Sequence, residues 1–96
     1  MRTLFFTEQF IREGDTIVAY CPELDVSSCG DTVSHAGANL QTALRLFLEE
    51  AARIGTLKEI LSEAGYDVDD TVMLSPLIDV GRREFVLAEE LARCLG

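Results

Sequence analysis

The feature that most constrains the fold of this chain is a change of hydrophobic period near Thr32. Upstream of it, short apolar segments alternate with a period of two, which is typical of strands with two unlike faces. From Thr32 onward the period becomes 3.6, which predicts an amphipathic helix with one continuous apolar stripe. The stripe consists of Val33, Ala36, Leu40, Ala43, Leu44, Phe47, Leu48 and Ala51. We therefore expect a long helix that packs on a small antiparallel sheet.

Three strands are predicted before this helix. The dipeptide Gly14–Asp15 favours a tight turn, because glycine tolerates positive φ and aspartate bonds back to the backbone. The flanking segments, Leu4–Arg12 and Thr16–Cys21, then form an antiparallel hairpin. Pro22 ends the second strand, since it lacks the amide hydrogen that a strand needs. Asp25–Cys29 is predicted as a short third strand, whose polarity suits a sheet edge or a site.

Capping residues mark the ends of two predicted helices. Thr32 can cap the long helix, which we expect to run to Ile54 and to close at Gly55. A capping box at Thr56–Glu59 predicts a short second helix that Gly65 ends. Its buried face is predicted to consist of Leu57, Ile60, Leu61 and Ala64.

The last part of the chain is predicted to begin as extended structure. Thr71–Leu74 and Leu77–Val80 read as extended segments that Pro76 interrupts. Arg82–Leu95 is predicted as a closing helix, with a strand beginning at Glu84 as the alternative. The predicted fold class is therefore α+β, with a three-stranded antiparallel sheet, a long packed helix, a short second helix and a further carboxy-terminal strand.

Length and charge limit the functions open to such a chain. Its 96 residues fit a single domain at 1–96, with a core at 3–66 and an extension at 67–96. The formal net charge is -9, from 17 acidic and 8 basic residues, which repels a nucleic-acid backbone. Direct nucleic-acid binding is therefore not expected, whereas a basic protein would be attracted. The alternative is that the acidic surface only aids solubility.

The cysteines and the amino-terminal segment bear on the compartment. Cys21, Cys29 and Cys94 form no CxxC pair and are odd in number, so neither a disulfide framework nor a zinc site is signalled. Glu8 and Arg12 interrupt the first apolar patch before it reaches signal-peptide length, and no run approaches transmembrane length. We expect a soluble protein of the reducing cytoplasm, with no membrane partner.

Most residues of the types that catalysis would need have a structural role that explains their presence. A ribonuclease-H-like metal site requires several converging carboxylates. The candidates are Glu8, Asp15, Glu23, Asp25 and Asp31. Asp15 is better explained as a turn residue, and Glu23 and Asp25 flank the Pro22 turn, where acidic residues are common. His35, the only histidine, lies in the first helical turn, and no nucleophile elbow or P-loop occurs. We therefore expect no enzyme, and no catalytic, cofactor-binding or metal-binding residues.

Two segments resemble a known family. Ala19–Leu24 reads Ala-Tyr-Cys-Pro-Glu-Leu, and Gly30–Thr32 reads Gly-Asp-Thr before the Leu-rich helix. This combination resembles the HicB antitoxins of bacterial and archaeal toxin–antitoxin pairs, over roughly residues 4 to 66. The resemblance implies a partial ribonuclease-H-like fold that lacks the catalytic carboxylates of that fold.

The resemblance also implies a function. HicB-like antitoxins bind a small basic HicA-type toxin, an mRNA-cleaving enzyme, and occlude its active site. Carboxylates could then take the place of RNA phosphates on the toxin, and we predict Glu23, Asp25 and Asp31 as partner-binding residues. The alternative is a solitary HicB-like protein-interaction or assembly module, with no toxin partner and no catalysis. A homodimer or higher homo-oligomer is predicted in addition, because open sheet edges favour pairing.

Two departures from the family pattern qualify the likeness. His35 stands three residues after Thr32, where such antitoxins often carry glutamate, which weakens the capping box but not the fold. Many HicB proteins also add a carboxy-terminal DNA-binding motif, for which Thr71–Gly96 has no room in full. Arg82, Arg83 and Arg93 are the basic residues of that segment, too few for a DNA footprint.

Overall fold

The computed structural model describes residues 2–78, 86 and 88–95. Its elements follow the α+β layout predicted from the sequence. They are β1 (Thr3–Leu4), β2 (Gln9–Glu13), β3 (Thr16–Cys21), β4 (Val26–Gly30), α1 (Val33–Ile54), α2 (Leu57–Glu63), β5 (Val72–Met73) and α3 (Glu89–Arg93). The three-stranded antiparallel sheet, the long helix, the short second helix and the further strand are all present.

Strand β3 lies at the centre of the three-stranded sheet, with β2 and β4 on either side. Val18 of β3 pairs with Ile11 of β2 and with Cys29 of β4, so these three side chains share the outer face of the sheet. The inner face of β3 is formed by Ile17, Ala19 and Cys21, all of which are buried. Strand β4 is thus an edge strand of this sheet, as its polarity predicts.

Helix α1 packs on the inner face of β3 and β4 and closes the main core. The Oγ1 of Thr32 accepts a hydrogen bond from the backbone N–H of His35 at 3.0 Å, and Gly55 ends the helix with φ 84°, which confirms both predicted caps. The predicted stripe is mostly buried or half-buried; Val33 is the exception, at 51% exposed. The core consists of Ile17, Ala19, Cys21, Ala36, Leu40 and Leu44.

A close approach joins the end of β4 to the start of α1. A Cβ atom on Gly30 would lie 2.6 Å from the backbone nitrogen of Ala36 and 2.9 Å from the carbonyl carbon of His35. Only glycine therefore fits this position without displacement of backbone. The Nδ2 of Asn39 donates to the carbonyl oxygen of Cys29 at 2.8 Å and binds the helix to the edge strand.

The prediction of one continuous strand at Leu4–Arg12 is wrong, because the structure divides this segment into β1 and β2. Thr3–Leu4 pairs in parallel with Val72–Met73, outside the three-stranded sheet. Between the two strands, the backbone N–H of Thr7 donates to the carboxylate of Glu23. A side chain therefore satisfies this amide, and the strand is interrupted there.

Two local predictions are also corrected. The third strand runs over Val26–Gly30 and not over Asp25–Cys29, because Asp25 is in the left-handed region with φ 54°. Thr56 does not open a capping box: with φ -108° and ψ 1° it makes no side-chain cap hydrogen bond. Its Oγ1 donates instead to the carbonyl oxygen of Ala51 at 3.5 Å.

A second, smaller core holds α2 and β5 together. Its buried members are Leu61, Tyr66 and Met73. The hydroxyl of Tyr66 donates to the carbonyl oxygen of Phe5 at 2.7 Å, and burial raises the pKa of this tyrosine. Gly65, which follows α2 with φ 98°, packs directly against Pro76.

The predictions for the end of the chain are met only in part. Strand β5 falls within the predicted extended segment Thr71–Leu74. Of the second predicted segment, Leu77–Val80, the first two residues are not in a strand and the last two lie outside the described residues. Helix α3 falls within the predicted helix Arg82–Leu95, whose first four residues also lie outside the described part of the chain.

Candidate partner-binding site

The candidate site is built on the turn between β3 and β4. Pro22 follows the last residue of β3, and the left-handed Asp25 leads into β4. The four residues of this turn, Pro22–Asp25, lie between the two strands, and they include two of the three carboxylates predicted from the sequence.

Glu23 binds three separate segments of the chain. Its Oε1 and Oε2 accept the backbone N–H of Thr7 at 3.0 and 2.8 Å, and Oε2 also accepts the hydroxyl of Thr7 at 2.8 Å. The hydroxyl of Ser75 donates to the same oxygen. The thiol of Cys21 lies 3.6 Å from Oε1 and donates to it. From its position on the turn, the carboxylate thus connects the β1–β2 segment, the end of β3 and the segment that follows β5.

These hydrogen bonds determine the protonation of Glu23. Partial burial acts to raise its pKa, but the hydrogen bonds from Ser75 and Thr7 outweigh burial and lower the pKa from its ordinary value of 4.5. The side chain is therefore ionised at neutral pH. Its negative charge remains at the turn, although its oxygens already accept hydrogen bonds from within the chain.

Asp25 is exposed, and its carboxylate accepts fewer hydrogen bonds from within the chain than that of Glu23. The hydroxyl of Tyr20 donates to its Oδ1 at 2.9 Å, across the start of β4. This hydrogen bond is the main cause that raises the pKa of Tyr20. The hydroxyl of Tyr20 thus fixes one carboxylate oxygen of Asp25 and leaves the other to solvent.

A shallow groove separates the turn from the end of α2. Its two adjoining depressions have volumes of about 250 and 280 Å³. They are lined by Pro22, Glu23, Leu24, Asp25, Ile60, Glu63, Ala64, Pro76 and Leu77. We call this the acidic groove, because its described lining residues combine an apolar floor with three carboxylates and include no basic side chain.

Glu63 is the member of the acidic groove that was not predicted from the sequence. It is the last residue of α2 and is exposed. Glu63 lies three residues after Ile60, which was predicted to be buried, so helical spacing places the two side chains next to each other. The position of Glu63 on α2 could therefore have been predicted from the sequence. The packing of α2 beside the β3–β4 turn could not have been predicted, because it depends on contacts between residues that are distant in sequence.

The structure leaves the third predicted residue, Asp31, away from the groove. Asp31 is exposed and follows the last residue of β4, whereas Asp25 precedes the first. Six residue steps of extended chain place them about 20 Å apart. The structure therefore brings Glu23 and Asp25 together with Glu63, and places Asp31 at the other end of the sheet.

Among the described residues, the cysteines form no second cluster of this kind. Cys21 is buried, and burial is the main cause that raises the pKa of its thiol. Cys29 and Cys94 are exposed and free. In residues 2–78, 86 and 88–95, no three histidine, cysteine or acidic side chains are grouped so that they could hold a metal ion. Nor does any helix in that part of the chain have the length and apolar character needed to cross a membrane.

Comparison of this chain with protein-family models, with curated proteins and with solved structures finds no match. The resemblance to HicB antitoxins therefore depends on the sequence segments alone. In the structure, Ala19–Leu24 forms the end of β3 and most of the turn that carries the acidic groove. Gly30–Thr32 forms the close junction between β4 and α1.

Proposed function

We propose that this chain is a HicB-like antitoxin of the cytoplasm, without catalytic activity, that binds a small basic HicA-type toxin and occludes its active site. The observation that carries the proposal is the acidic groove, which lies on the same turn that resembles the family. A toxin that cleaves mRNA must present cations to the RNA backbone. Carboxylates held in the groove are suited to occupy those cations.

The lining of the acidic groove matches the two parts of an arginine or lysine side chain. Asp25 and Glu63 are exposed carboxylates that can accept a guanidinium or ammonium group. The floor, with Leu24, Ile60 and Ala64, is apolar and can cover the methylene stem of the same side chain. Glu23 adds negative charge, while its hydrogen bonds fix the shape of the turn.

The charge of the whole chain supports the same partner. The net charge of -9 accelerates the approach of a basic protein and slows that of RNA. An acidic antitoxin would therefore compete with RNA for the basic surface of the toxin and would not itself retain RNA.

A specific observation also favours the alternative, a solitary assembly module. The outer face of the sheet carries Ile11, which is 46% exposed, beside Val18 and Cys29, and β4 is an edge strand. Such a face and edge can pair with another protein without any toxin. The two proposals differ in the partner that the purified chain retains.

The experiment that separates them is co-purification from the native host with this chain tagged. We expect a small basic protein that cleaves RNA alone and stops cleaving it when this chain is added back. Recovery of a partner without ribonuclease activity, or of this chain alone, would contradict the antitoxin proposal and favour the assembly module.

A further inference from the structure

Strand β2 is an edge strand of the three-stranded sheet, and all five of its residues are exposed. Large apolar side chains lie on both of its faces. Ile11 shares the outer face with Val18 and is 46% exposed. Phe10, which pairs with Ala19 on the inner face, is 41% exposed, because α1 packs on β3 and β4. Exposed apolar side chains on an open edge strand favour pairing with a further strand.

The backbone of β2 turns the N–H and C=O groups of two residues toward the open edge. Glu13 pairs with Thr16 across a two-residue turn, and a turn of this length closes on a hydrogen-bonded pair. Hydrogen-bonded and non-hydrogen-bonded pairs alternate along an antiparallel ladder. Phe10 and Arg12 are therefore the residues whose backbone groups point away from β3 and can bind a second strand.

The opposite edge of the sheet, β4, is less available. The same alternation turns the carbonyl group of Cys29 outward, away from β3. The Nδ2 of Asn39 already donates to this carbonyl oxygen at 2.8 Å, so a side chain of α1 occupies part of that edge. Strand β2 is therefore the more open of the two edges.

We propose that two copies of this chain pair through their β2 strands, antiparallel and centred on Ile11, and so form one continuous six-stranded sheet. A twofold axis perpendicular to the sheet relates the copies and keeps both α1 helices on the same face. Each Ile11 then lies opposite Ile11 of the second copy. Phe10 lies opposite Arg12 of the second copy, and Gln9 lies opposite Glu13. Phe10 and Arg12 exchange backbone hydrogen bonds, and the symmetry of the dimer repeats this exchange.

The side chains of β2 are self-complementary in this register. The two Ile11 side chains meet in a non-hydrogen-bonded pair, where cross-strand side chains approach most closely. The guanidinium group of Arg12 can cover the exposed ring of Phe10. Gln9 opposite Glu13 sets a neutral side chain beside a charged one. The pairing thus covers both exposed apolar residues of the edge and sets no like charges directly opposite each other.

The neighbouring registers fit less well. Directly opposed side chains lie on the same face of a sheet, so a symmetric pair must be centred on a residue, and the neighbouring centres are Phe10 and Arg12. A pair centred on Arg12 would set two arginines opposite each other. A pair centred on Phe10 would leave Arg12 and Glu13 unpaired, because β2 begins at Gln9. The centre at Ile11 uses all five residues of the strand.

The dimer contact is separate from the proposed toxin contact. None of the residues of β2 lines the acidic groove, which lies beside the turn between β3 and β4. Either proposal can therefore fail without the other.

Cysteine cross-linking tests both the contact and its register. The background chain carries Cys29→Ser with Cys94→Ser, which removes the two exposed thiols. Ile11→Cys, Gln9→Cys and Glu13→Cys are then introduced one at a time, and unfolding midpoints in urea verify that each variant folds. Opposed Cα atoms of a non-hydrogen-bonded pair lie about 4.5 Å apart, which is within the range that a disulfide spans.

The readout is the rate at which a covalent dimer forms with oxidised glutathione, followed on non-reducing gels. We expect the Ile11→Cys chain to cross-link at least about tenfold faster than the Gln9→Cys or the Glu13→Cys chain alone. Each of those two thiols would be about 14 Å from its own symmetry mate. An equimolar mixture of the Gln9→Cys and Glu13→Cys chains should cross-link rapidly as a heterodimer.

Molar mass by light scattering of the wild-type chain at micromolar concentration is the companion measurement, and we expect a dimer. A monomeric wild-type chain would overturn the proposal, including the case in which another segment of the same chain pairs with β2. An Ile11→Cys chain that cross-links no faster than the Gln9→Cys chain would also overturn it. So would a mixture of the Gln9→Cys and Glu13→Cys chains that forms no heterodimer.

Discussion

At the scale of single residues, Glu23 has the largest structural role in the candidate site. Its carboxylate accepts hydrogen bonds from Thr7 and Ser75, which lie 16 and 52 residues away in the sequence. The sequence indicated a carboxylate at this turn. Its hydrogen-bond partners could not be predicted, because residues so distant in sequence produce no local sequence pattern. The same distance explains why Leu4–Arg12 was predicted as one strand, since the amide of Thr7 is bound by a side chain from another segment.

Replacement of Glu23 by glutamine tests this structural role. The Glu23→Gln variant keeps the shape of the side chain but loses the charge and one acceptor, so hydrogen bonds from Thr7 and Ser75 weaken or are lost. We expect the free energy of unfolding in urea to fall by about 1–2 kcal/mol. Glu63→Gln, at an exposed position of the same groove, should change it by less than about 0.5 kcal/mol. Equal effects of the two substitutions would contradict the role of Glu23.

The depressed pKa of Glu23 makes part of the stability depend on pH. The pKa in the folded chain lies below the ordinary value of 4.5, so the contribution of Glu23 is complete above that pH. As the pH falls below 4.5 toward the folded pKa, this contribution is lost. We expect the stability difference between the wild-type chain and the Glu23→Gln variant to be constant near neutral pH and to narrow in acid. Urea titrations at several pH values measure it, and a difference that widens in acid would contradict the assignment.

At the scale of elements, local sequence signals were sufficient for the long helix. Its period, Thr32 at its start and Gly55 at its end all act within a few residues, and the structure confirms them. The second helix was also predicted, but its capping box was wrong because Thr56 follows Gly55 directly and lacks extended φ and ψ angles. A motif of the right residues fails when the preceding chain imposes another backbone conformation.

The two helix entrances give a matched comparison. Thr32→Ala removes the hydroxyl that accepts the N–H of His35, and we expect it to lower the free energy of unfolding by about 1 kcal/mol. Thr56→Ala removes a hydroxyl without a capping role, and its cost should stay below about 0.5 kcal/mol. Thermal and urea unfolding of the two variants measure the difference. A cost at Thr56 as large as that at Thr32 would contradict this difference between the two entrances.

The junction between β4 and α1 gives a second test at this scale. Gly30→Ala introduces a Cβ atom at 2.6 Å from the backbone nitrogen of Ala36, so the helix must move away from the strand. We expect a loss of about 1–3 kcal/mol in the free energy of unfolding. Ser27→Ala, at an exposed position of the same strand, is the control and should be nearly neutral. Wild-type stability of the Gly30→Ala variant would rule out the close approach.

At the scale of the whole molecule, the sequence predicted the fold class but not the pairing of β1 with β5. Alternating segments followed by a helical period were enough for an antiparallel sheet packed on a helix. The parallel pairing of Thr3–Leu4 with Val72–Met73 joins residues almost 70 positions apart, and a two-residue strand has no detectable period. For the same reason the sequence indicated Glu23 and Asp25 at a turn but not the acidic groove that Glu63 completes.

The most direct test of the proposed function uses the basic protein that co-purifies with this chain. It measures how much of this chain is needed to stop RNA cleavage by that protein. The acidic-groove variant carries Asp25→Asn with Glu63→Gln. Its control carries Glu13→Gln with Asp15→Asn, which removes two exposed charges at the opposite end of β3.

We expect the wild-type chain and the control to stop cleavage near equimolar ratio, and the groove variant to require about tenfold more chain. Equal inhibition by the groove variant and the wild-type chain would contradict the assigned contact surface, and failure of the wild-type chain to inhibit would contradict the antitoxin function itself.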